Sequence, residues 1–201
     1  MDTLHLVVPG PLDQRTGGYL YDARMVSELR HAGREVRVHE VDGRFPELDD
    51  VARSALDATL AAIPGDATVV LDGLAMGAAP DVVAGHAHRL RLVALVHHPL
   101  ADETGLSDDD RRHFEATERE ALTYARGVVV TSPYTARRLA DFGVGPQRVR
   151  AVTPGTEPGP MAEGPGPGEP PVLVCVGTVT PRKGFDVLVE ALARLGDLEW
   201  R

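Results

Sequence analysis

Cysteine is almost missing: one residue, Cys175, in 201. A single thiol supports neither a disulfide framework nor a cysteine-based zinc site. In the apolar run PVLVCVG it reads as a small buried hydrophobe. Positive charge is also scarce, with 21 Lys and Arg against 30 Asp and Glu and a net charge of -9. That balance argues against a nucleic-acid backbone as partner. No run approaches the roughly 18 to 20 apolar residues of a membrane span. The start, MDTLHLVVPG, lacks the basic end and long apolar stretch of a signal peptide. These absences predict a cytoplasmic protein, with peripheral membrane contact left open. Neither G-x-G-x-x-G nor G-x-x-x-x-G-K-[ST] occurs, so the dinucleotide fingerprint and the P-loop are both missing. What remains is ordinary for a folded protein: 43% hydrophobic and 25% charged residues.

Short apolar runs alternate with helix-period segments along the chain. LHLVVPG reads as a buried first strand, stopped by Pro-Gly. Tyr21, Met25 and Leu29, with Val26 widening the stripe, predict a helix ending near Gly33. EVRVHEV is the second strand. PELDDVARSALDATLAAIPG carries Leu48, Val51, Ala55 and Leu60 on one face and reads as helix. ATVVLDGL and LRLVALVHH read as strands flanking a short helix, APDVVAGHAHRL, on which His86 and His88 are expected at the surface. Ser107 followed by three acids marks a helix start through capping and the end dipole. GVVVTS is a further strand. Ser132 and Pro133 open the helix YTARRLADFG, and RVRAVTPG closes the set. This order predicts a Rossmann-like parallel sheet with helices on both faces. Its strand ends, and the loops that bind ligands in such sheets, share one rim.

Composition shifts after Thr153. TPGTEPGPMAEGPGPGEPP is dominated by proline and glycine, which predicts a linker over 154–171. PVLVCVG then restarts a strand, and FDVLVEALARL a helix with Phe185, Leu188, Val189, Leu192 and Leu195 apolar. Residues 1–153 are thus expected as one domain and 172–201 as the first strand and helix of a second.

Two glycine-containing turns carry the anion chemistry. After the last predicted strand, Arg182 and Lys183 precede a helix start, where free N–H groups and the end dipole favour a phosphate or diphosphate. Gly17 and Gly18 follow the first strand in RTGG and let the backbone approach a ligand closely. His97 and His98 sit at a strand end on the predicted rim. Adjacent strand residues point opposite ways, so one of them faces a given cleft. Asp102 and Glu103 follow and suit hydroxyl groups. No cysteine or helical spacing marks a metal site, and none is expected.

VCVGTVTPRKGFDVLVEALARL resembles the phosphate-loop signature of the family 4 glycosyltransferases, retaining nucleotide-sugar enzymes with the GT-B fold. VVPGPLDQRTGGYLYDARMVSELRHAGREVRVHEV, ALVHHPL and VVVTSPYTARRLADFGVGPQRVRAVTPGTEP are similar to that family's first strand and glycine loop, its histidine-ending strand and its interdomain crossing. The resemblance implies two Rossmann-like domains, the first on the acceptor side and the second holding the sugar nucleotide. It implies that Gly17 and Gly18 approach the donor phosphates and that Lys183, with Arg182, pairs with the diphosphate. It implies that His97 is the catalytic histidine contacting the transferred sugar, with His98, Asp102 and Glu103 as acceptor-side candidates. Fixed positive groups there would lower the barrier to diphosphate departure without a metal or cofactor.

Two positions depart from the pattern. Thr178 stands where the family usually has arginine, with Arg182 four residues further on. The family's E-x7-E segment is absent. The expectation is therefore a hexosyltransferase polypeptide with a truncated second domain, inactive alone, whose substrates are a nucleotide-diphosphate sugar and a hydroxyl acceptor. The alternative is a non-catalytic binding module, or a homodimer formed through the incomplete C-terminal segment.

Overall fold

A computed structural model describes residues 3–177 and 179–196. Six strands, β1 (Leu4–Pro9), β2 (Val36–Val41), β3 (Thr68–Asp72), β4 (Arg91–Val96), β5 (Gly127–Val130) and β6 (Val149–Ala151), form one sheet in the order β2-β1-β3-β4-β5-β6. Every pairing is parallel. Between the strands run α1 (Gly17–His31), α2 (Asp50–Ala62), α3 (Gly73–Ala78), α4 (Pro80–Ala87), α5 (Asp108–Thr123) and α6 (Pro133–Arg138).

The two-residue period of the strands sorts side chains onto two faces. Val7, Val69, Leu71, Leu92, Ala94, Val96, Val128 and Val130 enter the larger core with Leu56 and Leu60 of α2 and Phe114 of α5. Leu6, Val8 and Leu95 enter a smaller one with Tyr21 and Val26 of α1. Burial on both faces explains why the strands read as continuous apolar runs.

Helix starts follow local chemistry. Ser107 accepts from the Asp110 N–H, Ser132 from Thr135 and Asp49 from Ala52. Gly33 and Gly143, past helical ends, have φ of +78° and +80°, which a side chain would resist.

Several sequence expectations need correction. In α2 the buried face is Ala52, Leu56 and Leu60, whereas Val51 is 59% exposed. Spacing by four runs from Leu48 through Ala52 to Leu56, one position off the face predicted from Val51. The strand predicted in ATVVLDGL stops at Asp72, whose carboxylate caps the Leu74 N–H and turns the chain into α3. His86 is buried, with Nε2 2.8 Å from Asp57 Oδ1; the partner makes its burial affordable.

The first compact unit closes at Pro154 and leaves out Glu103–Gly105, which group with the residues from Gly155 onward. No strand forms over residues 171–177. Val172, Leu173, Val174 and Val176 are exposed, and so is Cys175, contrary to the buried hydrophobe expected. A lone extended segment has no ladder partner to satisfy its backbone and no second layer to cover its side chains. The predicted helix does form, as α7 (Phe185–Ala193), after a 3-10 turn at Pro181–Lys183 and Gly184 at φ +63°. Its apolar stripe stays largely uncovered, with Val189 64% exposed. Thr178 and residues 197–201 lie outside the described residues. No described helix is long and apolar enough to cross a membrane.

The register of α2 is directly testable. Leu56→Ala should lower unfolding free energy by about 2–5 kcal/mol, and Val51→Ala should change it by less than about 0.5 kcal/mol, both read from urea denaturation.

Candidate functional site

Because every strand is parallel, their C-terminal ends share one rim, and three polar side chains meet there. Asp72 is the last residue of β3. His97 follows β4 directly. Asp22 projects from α1, the helix opened by Gly17 and Gly18. His97 Nε2 lies 3.0 Å from Asp22 Oδ1 and 3.7 Å from Asp72 Oδ2. The aspartate side chains are 2% and 6% exposed and the imidazole 23%.

Neighbours fix the ring further. Tyr21 meets it edge-on, centroids 5.4 Å apart at 85°. A Cβ added to Gly18 would lie 3.4 Å from His97 Cδ2, so the start of α1 lies beside the ring. Thr131 Oγ1 donates to the His97 carbonyl at 3.2 Å. Tyr21 also donates from its hydroxyl to the Val152 carbonyl at 2.9 Å.

Electrostatics couples the three groups. Burial, then the nearby Asp22 charge, pushes Asp72 up to about 7, against the pull of His97 and of the Leu74 and Ala75 N–H groups. Burial by itself would lower His97, but its hydrogen bond to Asp22 and the charges of both aspartates outweigh that and raise it. Among the described residues this is the one group of three His, Cys, Asp or Glu side chains whose donor atoms converge within 4.8 Å. Its shortest contact, His97 Nε2 to Asp22 Oδ1 at 3.0 Å, is within hydrogen-bond distance.

The loop after His97 is held from below. Glu118 of α5, buried, accepts from Leu100 N at 2.7 Å and Ala101 N at 3.0 Å. Gly77 makes room for it, since a Cβ there would lie 2.8 Å from Glu118 Cγ. Burial pushes Glu118 up to about 7 despite the two N–H donors, with Asp102 adding to the rise.

Each residue predicted from sequence has its own setting. Gly18 and His97 are neighbours at the rim, and Gly17, next in sequence to Gly18, is exposed. His98 Nε2 is buried without a hydrogen-bond partner among the described residues. Asp102 is engaged by Arg138, with Nε 2.9 Å from Oδ2 and Nη2 2.8 Å from Oδ1, a forked pair that ties the loop to α6. Glu103 accepts from the Thr104 N–H at 3.0 Å. Arg182 and Lys183 are exposed in the turn before α7, whose start carries no side-chain cap.

From sequence, Tyr21 stands out only as part of the apolar stripe of α1, and neither Asp22 nor Asp72 is singled out. Asp22 did leave a signal: four residues before Val26, it occupies the buried stripe of α1, where an apolar residue is expected. A charge in that position needs a partner.

The raised groups set a sign for stability against pH. Glu118 and Asp72 bind protons more tightly folded than unfolded, so their contribution is largest at low pH and is lost as pH rises from about 4 to about 7. Raised His97 acts in the same direction, losing its contribution as pH rises through its folded value. Unfolding free energy should therefore fall between pH 5 and pH 8, by on the order of a few kcal/mol in urea denaturation. Glu118→Gln should flatten the part of that fall nearest neutrality.

No curated protein matches the chain. The model of Glycosyltransferase Family 4 matches residues 23–159, more than half of the sequence. That span runs from the residue after Asp22 through β6 and includes Asp72 and His97. By that match, the chain belongs to glycosyltransferase family 4.

Proposed function

We propose that this polypeptide serves a retaining transfer of a hexosyl group from a nucleotide-diphosphate sugar to an acceptor hydroxyl. The family match carries the proposal, supported by Gly18 lying against His97 at the rim. His97 contacts the transferred sugar. The uncapped start of α1 at Gly17 and Gly18 offers N–H groups and a partial positive charge to the donor phosphates. Arg182 and Lys183 neutralise the diphosphate as it leaves, at a second uncapped helix start. On this reading residues 1–153 form the acceptor-side domain, 154–171 the linker and 172–201 the opening of the donor domain. His98 and Glu103 remain candidates on the acceptor side. Asp102, already forked by Arg138, shapes the loop more than it binds substrate.

Residues 172–196 hold no second sheet among the described residues. The 201 residues by themselves should therefore turn over sugar nucleotides negligibly. Robust transfer by this chain with UDP-glucose or GDP-mannose would overturn that part.

A second reading, self-association without catalysis, is favoured by one observation. Val174, Val176 and Val179 are 79%, 91% and 85% exposed, an apolar run that a second copy would cover. Gel filtration separates the two, since a concentration-dependent dimer supports self-association.

Lys183→Ala should weaken binding of UDP-glucose or GDP-mannose about tenfold, the loss of roughly one charge-assisted contact. Calorimetry on the unmodified chain and the variant checks this; equal affinities would contradict the assignment of Lys183.

A further inference from the structure

We propose that Asp22 is the positioning residue of His97, holding the ring by Nε2 so that Nδ1 is the nitrogen offered to a bound ligand. The ligand half of this proposal rests on the reading of His97 as a sugar contact; the positioning half does not.

Asp22 is a carboxylate in the apolar stripe of α1, 2% exposed. Such a group persists only with a partner that offsets its lost hydration. The partner is His97 Nε2, at 3.0 Å. An ionised carboxylate only accepts hydrogen bonds, so Nε2 must carry the proton. Asp72 Oδ2, 3.7 Å from the same nitrogen, is beyond hydrogen-bond range and contributes charge. The titratable groups facing the ring are thus Asp22 and Tyr21 of α1 and Asp72 at the end of β3. Tyr21 limits rotation from its edge, and Gly18 lies over Cδ2, next to Nε2. Nδ1 has no hydrogen-bond partner among the described residues, and the ring keeps 23% of its surface. The ring nitrogen left for a ligand is therefore Nδ1.

The fixed proton gives Nδ1 a defined chemistry. With the ring charged, Nδ1–H donates to a ligand oxygen; with the ring neutral, Nδ1 accepts from a hydroxyl. Without Asp22 the tautomer would be free to change, and the ligand would meet a different group. Asp22 lies four residues beyond Gly18 on the same helix, so a ligand that shifts the start of α1 also shifts the hold on His97.

Long-range proton–nitrogen NMR of the 201-residue chain tests this, with the His97 signals assigned through His97→Gln. Unmodified protein should show His97 as the Nε2–H form once neutral. Asp22→Asn keeps the shape, but its amide can donate to Nε2. The variant should lower the His97 titration midpoint by about one pH unit or more and let the Nδ1–H form appear. The signals of His86, whose ring is paired with Asp57, should keep their positions and serve as the check on folding. An unchanged midpoint and tautomer in Asp22→Asn would overturn the positioning role. So would a dominant Nδ1–H form in unmodified protein, a measurement that needs no folded variant. UDP-glucose and GDP-mannose are then added in turn. A sugar nucleotide that binds and moves the Nδ1 shift supports the ligand half, and one that binds without moving it overturns that half. If neither binds while the Nε2–H form is seen, the positioning role stands and the reading of His97 as a sugar contact in this chain is overturned.

Discussion

A carboxylate taken out of water must be matched by a positive partner or a proton, and this one requirement organises the rim. Asp22 and Asp72 are both nearly inaccessible and both face the His97 ring. Two buried negative charges repel, and the environment resolves this by holding a proton on the imidazole and tending to place another on Asp72. The positions of α1, β3 and β4 are thereby tied to one another through side chains as well as through backbone ladders. Buried ionic groups contribute little net stability, so their persistence here is better explained by what they position than by what they stabilise.

Sheet topology explains why these three residues can meet. From β1 the chain passes outward to β2, then crosses back to β3 on the other side of β1 and continues to β6. In open parallel sheets such a reversal leaves a crevice at the carboxyl ends of the strands. Asp72 stands at the end of β3, His97 follows its neighbour β4, and α1 springs from the loop after β1. The loop after His97 is then secured by Glu118 from beneath and by the Asp102–Arg138 fork, so the rim is built on anchored segments. The larger core supplies the rigid base, with Leu71, Leu92, Val69 and Val128 almost fully enclosed.

Much of this was legible in the sequence, for identifiable reasons. Strands buried on both faces leave unbroken apolar runs, and serines such as Ser107 and Ser132 mark helix starts by hydrogen bonds local in sequence. The pairing of Gly18 with His97 was within reach only as two rim loops, since their contact spans 79 positions. Tertiary pairing hid the rest. His86 looked like a surface residue because nothing nearby in sequence reveals Asp57. PVLVCVG looked like a strand because composition registers β propensity and not the neighbouring strand a ladder needs; the same error buried Cys175 on paper. Asp22 was missed because helical periodicity weighs apolar residues and passes over a charge within the stripe.

The central claim is that the buried Asp22–Asp72–His97 cluster exists to present the Nδ1 edge of one imidazole to an activated sugar. A crystal structure of the chain soaked with UDP-glucose or GDP-mannose tests it most directly. The account predicts sugar density over His97, within hydrogen-bond distance of Nδ1, with Nε2 still on Asp22. A bound sugar nucleotide lying elsewhere, with the His97 ring untouched, would contradict it.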